Sequence, residues 1–339
     1  MPANDVSEIL AALPLAALLI GADERVIGAN DAGRALFGPA ILGRHHGFVL
    51  RQPEVLWAIA TAMDQRASTE ARHIVQGPSQ DMIHRVTVAP VGGGALCLFQ
   101  DISDQEQAGQ MRRDFVANVS HELRTPLTSL LGFIETLRGA ARDDPVARER
   151  FLGVMAAEAE RMNRLVRDLL QLSRVEAQER QRPAGRLDFA ALIRGAVQNL
   201  RSMAAAAGVE MVLQGVDAPV VILADPDQMT QVVTNLVENA IKYGALGKLV
   251  RVALSRDDAA RGPMVRLDVT DRGEGIGAVH VPRLTERFYR VDGHRSREKG
   301  GTGLGLAIVK HIAQRHRGKL MIDSVPGRGS TFSVILPAD

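Results

Sequence analysis

The chain has 339 residues, of which 46% are hydrophobic, 24% charged and 4% aromatic. That composition excludes a disordered or fibrous chain, and at about 100–200 residues per domain the length points to two or three domains. Lysine plus arginine (41) nearly balances aspartate plus glutamate (39), and the net charge of +2 gives no global electrostatic case for direct nucleic-acid binding. The one cysteine, Cys97, excludes a disulfide framework and any multi-cysteine metal site.

The longest apolar run covers 9–22, only 14 residues, with Pro14 inside it. A spanning helix needs roughly 20 apolar residues. No lysine or arginine precedes the run as in a signal peptide. A chain without a transmembrane segment is expected, cytoplasmic or peripheral at the membrane.

Residues 1–105 read as a small α/β module. Strands are expected over 15–22 and 26–29, with a turn at Gly21–Arg25 between them. Asn30 and Asp31 are suited to cap a helix through Phe37, which Gly38-Pro39 stops. Residues 54–63 read as a helix. Residues 72–76, 84–90 and 95–100 read as strands, the last two joined by a turn at Gly92-Gly93-Gly94.

Residues 106–180 change to helical spacing. Phe115, Val119, Leu123, Leu127, Leu130, Ile134 and Leu137 recur every three or four residues. After a break at Arg142–Pro145, a second stripe follows with Phe151, Val154, Met155, Met162, Leu165, Leu169, Leu172 and Val175. These predict an antiparallel helical hairpin with Leu123 and Leu127 facing inward. Two helices cannot bury both stripes, so a homodimer forming a four-helix bundle is expected. Pro183-Ala184-Gly185 is a linker, and 186–339 alternates helices and strands as a second α/β domain.

The first hairpin helix carries Ser120-His121-Glu122-Leu123-Arg124-Thr125-Pro126-Leu127. His121 and Thr125 are four residues apart and share a helix face. An exposed histidine can act as a nucleophile when a neighbour organises its ring. Glu122 is the expected partner of Nδ1–H, which would leave Nε2 as the attacking atom. Thr125 is a candidate to orient water in a dephosphorylation step, or else to bond back to a carbonyl beside Pro126.

In the last domain, Asp225 and Pro226 open a helix whose buried stripe is Met229, Val232, Val233, Leu236, Ala240 and Ile241. Asn235, Asn239 and Lys242 share another face. An amide oxygen suits Mg²⁺ and an ammonium suits phosphate. The strand 265–270 then leads into Asp271-Arg272-Gly273-Glu274-Gly275-Ile276-Gly277. Gly301, Thr302, Gly303, Leu304 and Gly305 precede a helix over 306–315, where free amides can bind phosphate. No lysine follows as in a Walker loop. The turn 327–331 reads as structural.

The segment FVANVSHELRTPLTSLLGFIETL (115–137) closely resembles the phosphoacceptor helix of sensor histidine kinases. The later signatures follow in the order of that family, from about residue 101 to 337. The resemblance implies a multidomain α+β protein, with a dimeric four-helix-bundle hairpin and an α/β-sandwich ATP-binding domain of the histidine kinase, gyrase and chaperone type. It implies that His121 is phosphorylated from Mg-ATP, and that the phosphoryl group passes to an aspartate of a separate response regulator, a winged-helix transcription factor with an N-terminal receiver domain. It makes Asn239 a Mg²⁺ ligand. Lys242 and Tyr243 match positions that contact phosphates and ribose, and Asp271 matches the acceptor of the adenine amino group. Phe288 belongs to a phenylalanine-containing box, and 294–299 to a lid over the nucleotide.

Residues 1–105, with the exit Leu98-Phe99-Gln100-Asp101-Ile102-Ser103, resemble PAS domains. The phosphoacceptor region most resembles the phosphate-regulon sensor kinases, apart from the membrane anchor. His45, His46, His73 and His84 are formally able to hold haem, and Cys97 reads as a small buried residue. The competing readings are a phosphatase-only or scaffold sensor, and a nucleotide-driven conformational ATPase, which would carry a glutamate base where Asn235 stands.

Overall fold

The computed structural model describes residues 3–77, 81–178, 181–259, 262–291 and 301–338. The expected lid, 294–299, lies outside them. The chain divides into two compact units, 1–117 and 118–339.

The first unit opens with α1 (Ala3–Ala11) and continues β1 (Ala16–Ile20), β2 (Val26–Ala29), α2 (Asp31–Phe37), α3 (His46–Val49), α4 (Pro53–Gln65), β3 (Thr69–Val75), β4 (Met82–Val91) and β5 (Gly94–Asp101). The strands form one antiparallel sheet in the order β2-β1-β5-β4-β3. Asn30 ties the start of this unit together. Its Oδ1 accepts the Gly33 N–H at 2.8 Å, capping α2, and the Ala17 N–H at 2.9 Å, while Nδ2 donates to the carbonyls of Leu13 and Leu15. Leu18, Ile20, Ile59, Val86, Val88, Cys97 and Phe99 fill the core.

His73 and His84 face each other across β3 and β4, both buried, with ring centroids 6.4 Å apart. His73 also meets the rings of Phe37 and Phe99. At the exit, Asp101 Oδ1 accepts the Ser103 N–H and Ser103 Oγ accepts the Ile83 N–H, both at 2.8 Å. The hydrogen bonds from Ser103 hold the Asp101 carboxyl below its usual range. This latch fixes the first residue of α5 (Ser103–Arg138), a 36-residue helix, to strand β4.

In the second unit, α5 is followed by α6 (Pro145–Ala177), whose N-cap Asp144 accepts the N–H groups of Val146 and Ala147. The two helices form the expected hairpin, with Phe133 and Phe151 at 5.4 Å. One expectation is corrected. Leu127 does not face inward within the single chain; it is 50% exposed, as are Leu131 at 54% and Leu170 at 55%. Two helices cover only one side of each other, so Leu123, Leu130, Phe133 and Leu137 are half-buried while the remaining stripe faces solvent. Pro126 lies inside α5 without ending it.

The rest of the unit comprises β6 (Arg186–Asp188), α7 (Phe189–Ala206), β7 (Glu210–Gln214), β8 (Val221–Leu223), α8 (Pro226–Gly244), β9 (Leu249–Ala259), β10 (Gly262–Asp271), α9 (Gly305–Arg315), β11 (Lys319–Val325) and β12 (Gly329–Pro337). A mixed sheet runs β11-β12-β10-β9-β7, with β7 parallel to β9 and the other pairs antiparallel, and β6 pairs with β8. Helices α7, α8 and α9 pack on the sheet to form an α/β sandwich. On β10 the residues Val265, Leu267 and Val269 alternate inward, the period that predicted the strand.

Burial lowers His73 and His84 from the ordinary imidazole value of 6.5; each is also affected by charge, His73 by His84 in the same direction and His84 by Asp101 in the opposite one. The folded pair therefore binds fewer protons than the unfolded chain. Its contribution is present above pH 6.5 and is lost as pH falls through the lower folded values. Stability measured by urea denaturation should decline on acidification below 6.5. The double variant His73→Leu/His84→Leu should show a shallower decline; an unchanged slope would refute the assignment. His46 and His316, lowered chiefly by burial, contribute to the slope that remains, as do the lowered carboxyls of Asp101 and Asp188.

Candidate active site

Helix α8 carries one wall of the site. Asp225 Oδ1 caps it, accepting the N–H groups of Asp227 and Gln228. Met229, Val232, Val233, Leu236, Ala240 and Ile241 are all buried, which orients the helix and turns Asn235, Asn239 and Lys242 to its half-buried face. Asn235 Nδ2 donates to the Gly305 carbonyl and Oδ1 accepts from Gln231, both at 3.2 Å, joining α8 to the start of α9. The side chain of Asn239 makes no hydrogen bond among the described residues. Its amide oxygen, half-buried beside polar neighbours, fits a hard cation such as Mg²⁺. Lys242 Nζ donates to Glu238 Oε2 at 2.6 Å, and Tyr243 is partly exposed.

Asp271 ends β10 and is buried. Its Oδ1 accepts the Gly273 N–H at 2.8 Å. Burial pushes its carboxyl up, against the opposing pull of hydrogen bonds from the Gly273 and Ser330 amides. Gly273 is required by a close crossing: a Cβ there would lie 2.6 Å from the Tyr243 carbonyl oxygen and 2.9 Å from Gly244 Cα. The end of α8 and the turn after β10 thus interlock. Gly275 and Gly277 continue this turn, and Gly275 passes against the Val325 carbonyl.

The opposite segment is 301–305. Gly303 has φ +73°, and a Cβ would meet Phe288 Cα at 2.8 Å. The Phe288 N–H donates to the Gly303 carbonyl at 2.9 Å, so the phenylalanine box and the glycine-rich loop are one substructure. Leu304 sits at the N-cap of α9 with no side chain capping the helix, and its N–H donates to Thr302 Oγ1 at 3.3 Å. Gly301 leads into this loop. An uncapped helix start beside close-packed glycines is suited to phosphate oxygens.

On α5, His121 is exposed, and its ring makes no hydrogen bond among the described residues. Glu122 does not organise it. The Glu122 carboxylate instead accepts from Arg161 Nη2 of α6 at 3.0 Å, with Arg290 Nη1 at 4.0 Å. Consecutive helix residues point to different faces, so Glu122 turns toward α6 while His121 faces outward. Thr125 Oγ1 donates to the His121 carbonyl at 3.2 Å.

Several participants were absent from the sequence reading: Arg161, Asp168, Glu176, Glu238 and Gly244. Asp168 carried a signal, a carboxylate between Leu165 and Leu172 on the edge of an apolar stripe. It accepts the Thr302 hydroxyl at 2.7 Å. Glu176 accepts from Arg287 at 2.7 Å.

Residues 111–178 match the His Kinase A (phospho-acceptor) domain, and residues 224–339 match the family of histidine kinase-, DNA gyrase B- and HSP90-like ATPases. The chain carries the phosphoacceptor and ATPase domains of the sensor histidine kinases, in that order. It is 39% identical over 246 residues to the sensor protein kinase WalK of Staphylococcus saprophyticus, covering 73% of this chain and 40% of the relative. WalK of Staphylococcus aureus is likewise 39% identical over 246 residues, covering 73% of this chain and 58% of that sequence. The matched region thus spans about two fifths to three fifths of the length of these relatives. The crystal structure of histidine kinase ThkA in complex with response regulator protein TrrA shares the fold, with a TM-score of 0.51 at 19% identity over 98% of both chains. Among the described residues no helix is long and apolar enough to cross a membrane.

If Asp271 accepts from the adenine amino group, as the resemblance implies, replacing it by Asn turns one acceptor oxygen into a donor, which would face either the Gly273 and Ser330 amides or that amino group. Adenosine affinity should fall by about tenfold or more, in line with the roughly 1–3 kcal/mol for an unsatisfied buried group. In the wild type, affinity should also weaken on acidification, starting above the ordinary aspartate value of 3.8 because burial raises Asp271. Calorimetry with adenosine checks both, since it carries no phosphate to titrate.

Proposed function

We propose that the chain is an ATP-dependent protein-histidine kinase, divided as a PAS-like sensor module (1–105), a dimerisation and phosphotransfer hairpin (106–180) and a catalytic ATP-binding domain (186–339). The observation that supports this most is an exposed, unengaged His121 on a matched phosphoacceptor domain, in one chain with a nucleotide site built from α8, the Asp271 turn and the 301–305 loop. His121 Nε2 attacks the γ-phosphorus of ATP. The new N–P bond forms as the bond to the β,γ-bridging oxygen breaks, and ADP leaves with that electron pair. The phosphoryl group then passes to an aspartate carboxylate on a response regulator with a receiver domain, for which a winged-helix transcription factor is the proposed type.

Asp271 accepts from the adenine amino group, Tyr243 lies along the ribose, and Lys242 with the loop amides meets the phosphates. Asn239 would hold Mg²⁺, which neutralises phosphate charge when bound. With Glu122 held by Arg161, proton removal from His121 needs either a change of Glu122 rotamer or bulk water.

Protein incubated with γ-labelled ATP should take up an acid-labile, base-stable label, and His121→Ala should abolish it while adenosine binding persists. Label retained in that variant would refute the assignment of His121.

A dimer follows from the exposed half of the hairpin stripe. Leu127, Leu131, Ile134, Val154, Val166 and Leu170 are all more than a third exposed in one chain, and burying each contributes roughly 1.5–3 kcal/mol. Light scattering should return twice the chain mass at micromolar concentration; the monomer mass would refute it.

Regulator dephosphorylation is proposed for the same helix. Thr125→Ala should leave His121 labelling intact and slow loss of phosphate from a phosphorylated regulator several-fold. Equal decay rates would assign Thr125 only its bond to the His121 carbonyl.

A further inference from the structure

The hairpin meets the nucleotide loop in a small cleft lined by Glu122, Pro126, Arg161, Met162, Leu165 and Thr302. Thr302 is thus on the same wall as the residue next to His121. Its hydroxyl is committed on both sides: the O–H donates to Asp168 Oδ2 at 2.7 Å, and a lone pair accepts the Leu304 N–H at 3.3 Å. Leu304 heads α9, which no side chain caps, and whose first amides would meet the phosphates in the proposed site. A single relay of two hydrogen bonds therefore runs from α6 of the phosphoacceptor hairpin to the backbone of the nucleotide loop. Thr302 is only 9% exposed, so few waters can reach its hydroxyl.

Neighbouring contacts keep the two surfaces in register. Gln171, three residues after Asp168, donates to Gln231 of α8 at 2.8 Å, and Glu176 pairs with Arg287 at 2.7 Å. Those two reach the loop only through further residues: Gln231 through Asn235, which donates to the Gly305 carbonyl, and Arg287 through its neighbour Phe288, whose N–H donates to the Gly303 carbonyl. Asp168 alone among these α6 residues touches the segment that would hold the phosphates.

We propose that Asp168 is a positioning residue for phosphoryl transfer, docking the nucleotide loop through Thr302 beside the Glu122 edge of the phosphoacceptor helix. This rests on the kinase reading above. Asp168 touches no reacting atom. It sets the distance between the two reactants, so its loss acts on the rate of transfer rather than on nucleotide binding. Displacement of reacting groups by about 1 Å can slow transfer by about 100-fold.

The test is autophosphorylation with γ-labelled ATP at saturating concentration, alongside adenosine binding by calorimetry on the same preparations. Asp168→Ala and Thr302→Val should each lower kcat by roughly 10- to 100-fold, with adenosine affinity within about twofold of wild type. Asp168→Asn keeps an oxygen acceptor for the Thr302 hydroxyl and should recover most of the rate. The double variant Asp168→Ala/Thr302→Val should be no slower than either single variant, because both cut the same relay. Undiminished or increased kcat in Asp168→Ala overturns the proposal, an increase showing that the contact restrains the resting enzyme. So do additive losses in the double variant, or losses matched by equal falls in adenosine affinity. Wild-type protein that takes up no label instead refutes the kinase reading itself, and the role of Asp168 with it.

Discussion

A carboxylate buried at the end of a strand is the constraint on which the ATPase domain is organised. Asp271 would be costly to place there without compensation, and the compensation is backbone: amides from Gly273 on the turn and Ser330 on the neighbouring strand. For those amides to reach it, the turn has to close tightly, and for the turn to close, the end of α8 has to pass within van der Waals contact. That requires glycine on both sides of the crossing, at 244 and 273. The same crossing fixes the rotation of α8, and so brings Asn239 and Lys242 toward the mouth of the site. One buried carboxylate therefore organises both edges of the proposed nucleotide site.

Much of this was legible in the sequence because it rests on local rules. The apolar stripe of α8, the Asp225 cap, the alternation along β10 and the glycine-rich approach to α9 are each determined by a few neighbouring residues, and each appears where the pattern placed it. What was not legible depends on partners far along the chain. Glu122 is next to His121 in sequence, yet its carboxylate goes to Arg161 on the other helix, 39 residues away. Asp168 meets Thr302 across 134 residues. The period of the hairpin stripe says which residues are apolar but not how two helices share them, which is why Leu127 was expected inside and Phe133 was not included.

The hairpin and the nucleotide domain are joined by packing of α6 along α9, with Leu172 and Val175 of α6 buried, and by polar contacts beside it. Asp168, Gln171 and Glu176 each bond a side chain of the ATPase domain, but none adds a large apolar surface to it. Exposed or half-exposed ion pairs and hydrogen bonds contribute little stability, typically below about 1 kcal/mol for an exposed pair, and are screened by salt.

The burial of Cys97 has a practical side. Burial pushes its thiol up to about 12, so near pH 7.5 only about one thiol in 10⁴ or fewer is the reactive thiolate, and that one is enclosed by the core of the first unit. A thiol reagent added to the native chain therefore finds no accessible target until that core opens. The rate of its reaction reads the opening of the first unit alone, undisturbed by motions of the hairpin or the ATPase domain. Conversely, a cysteine placed at any exposed position takes a spectroscopic label at that position only, without first removing the natural one.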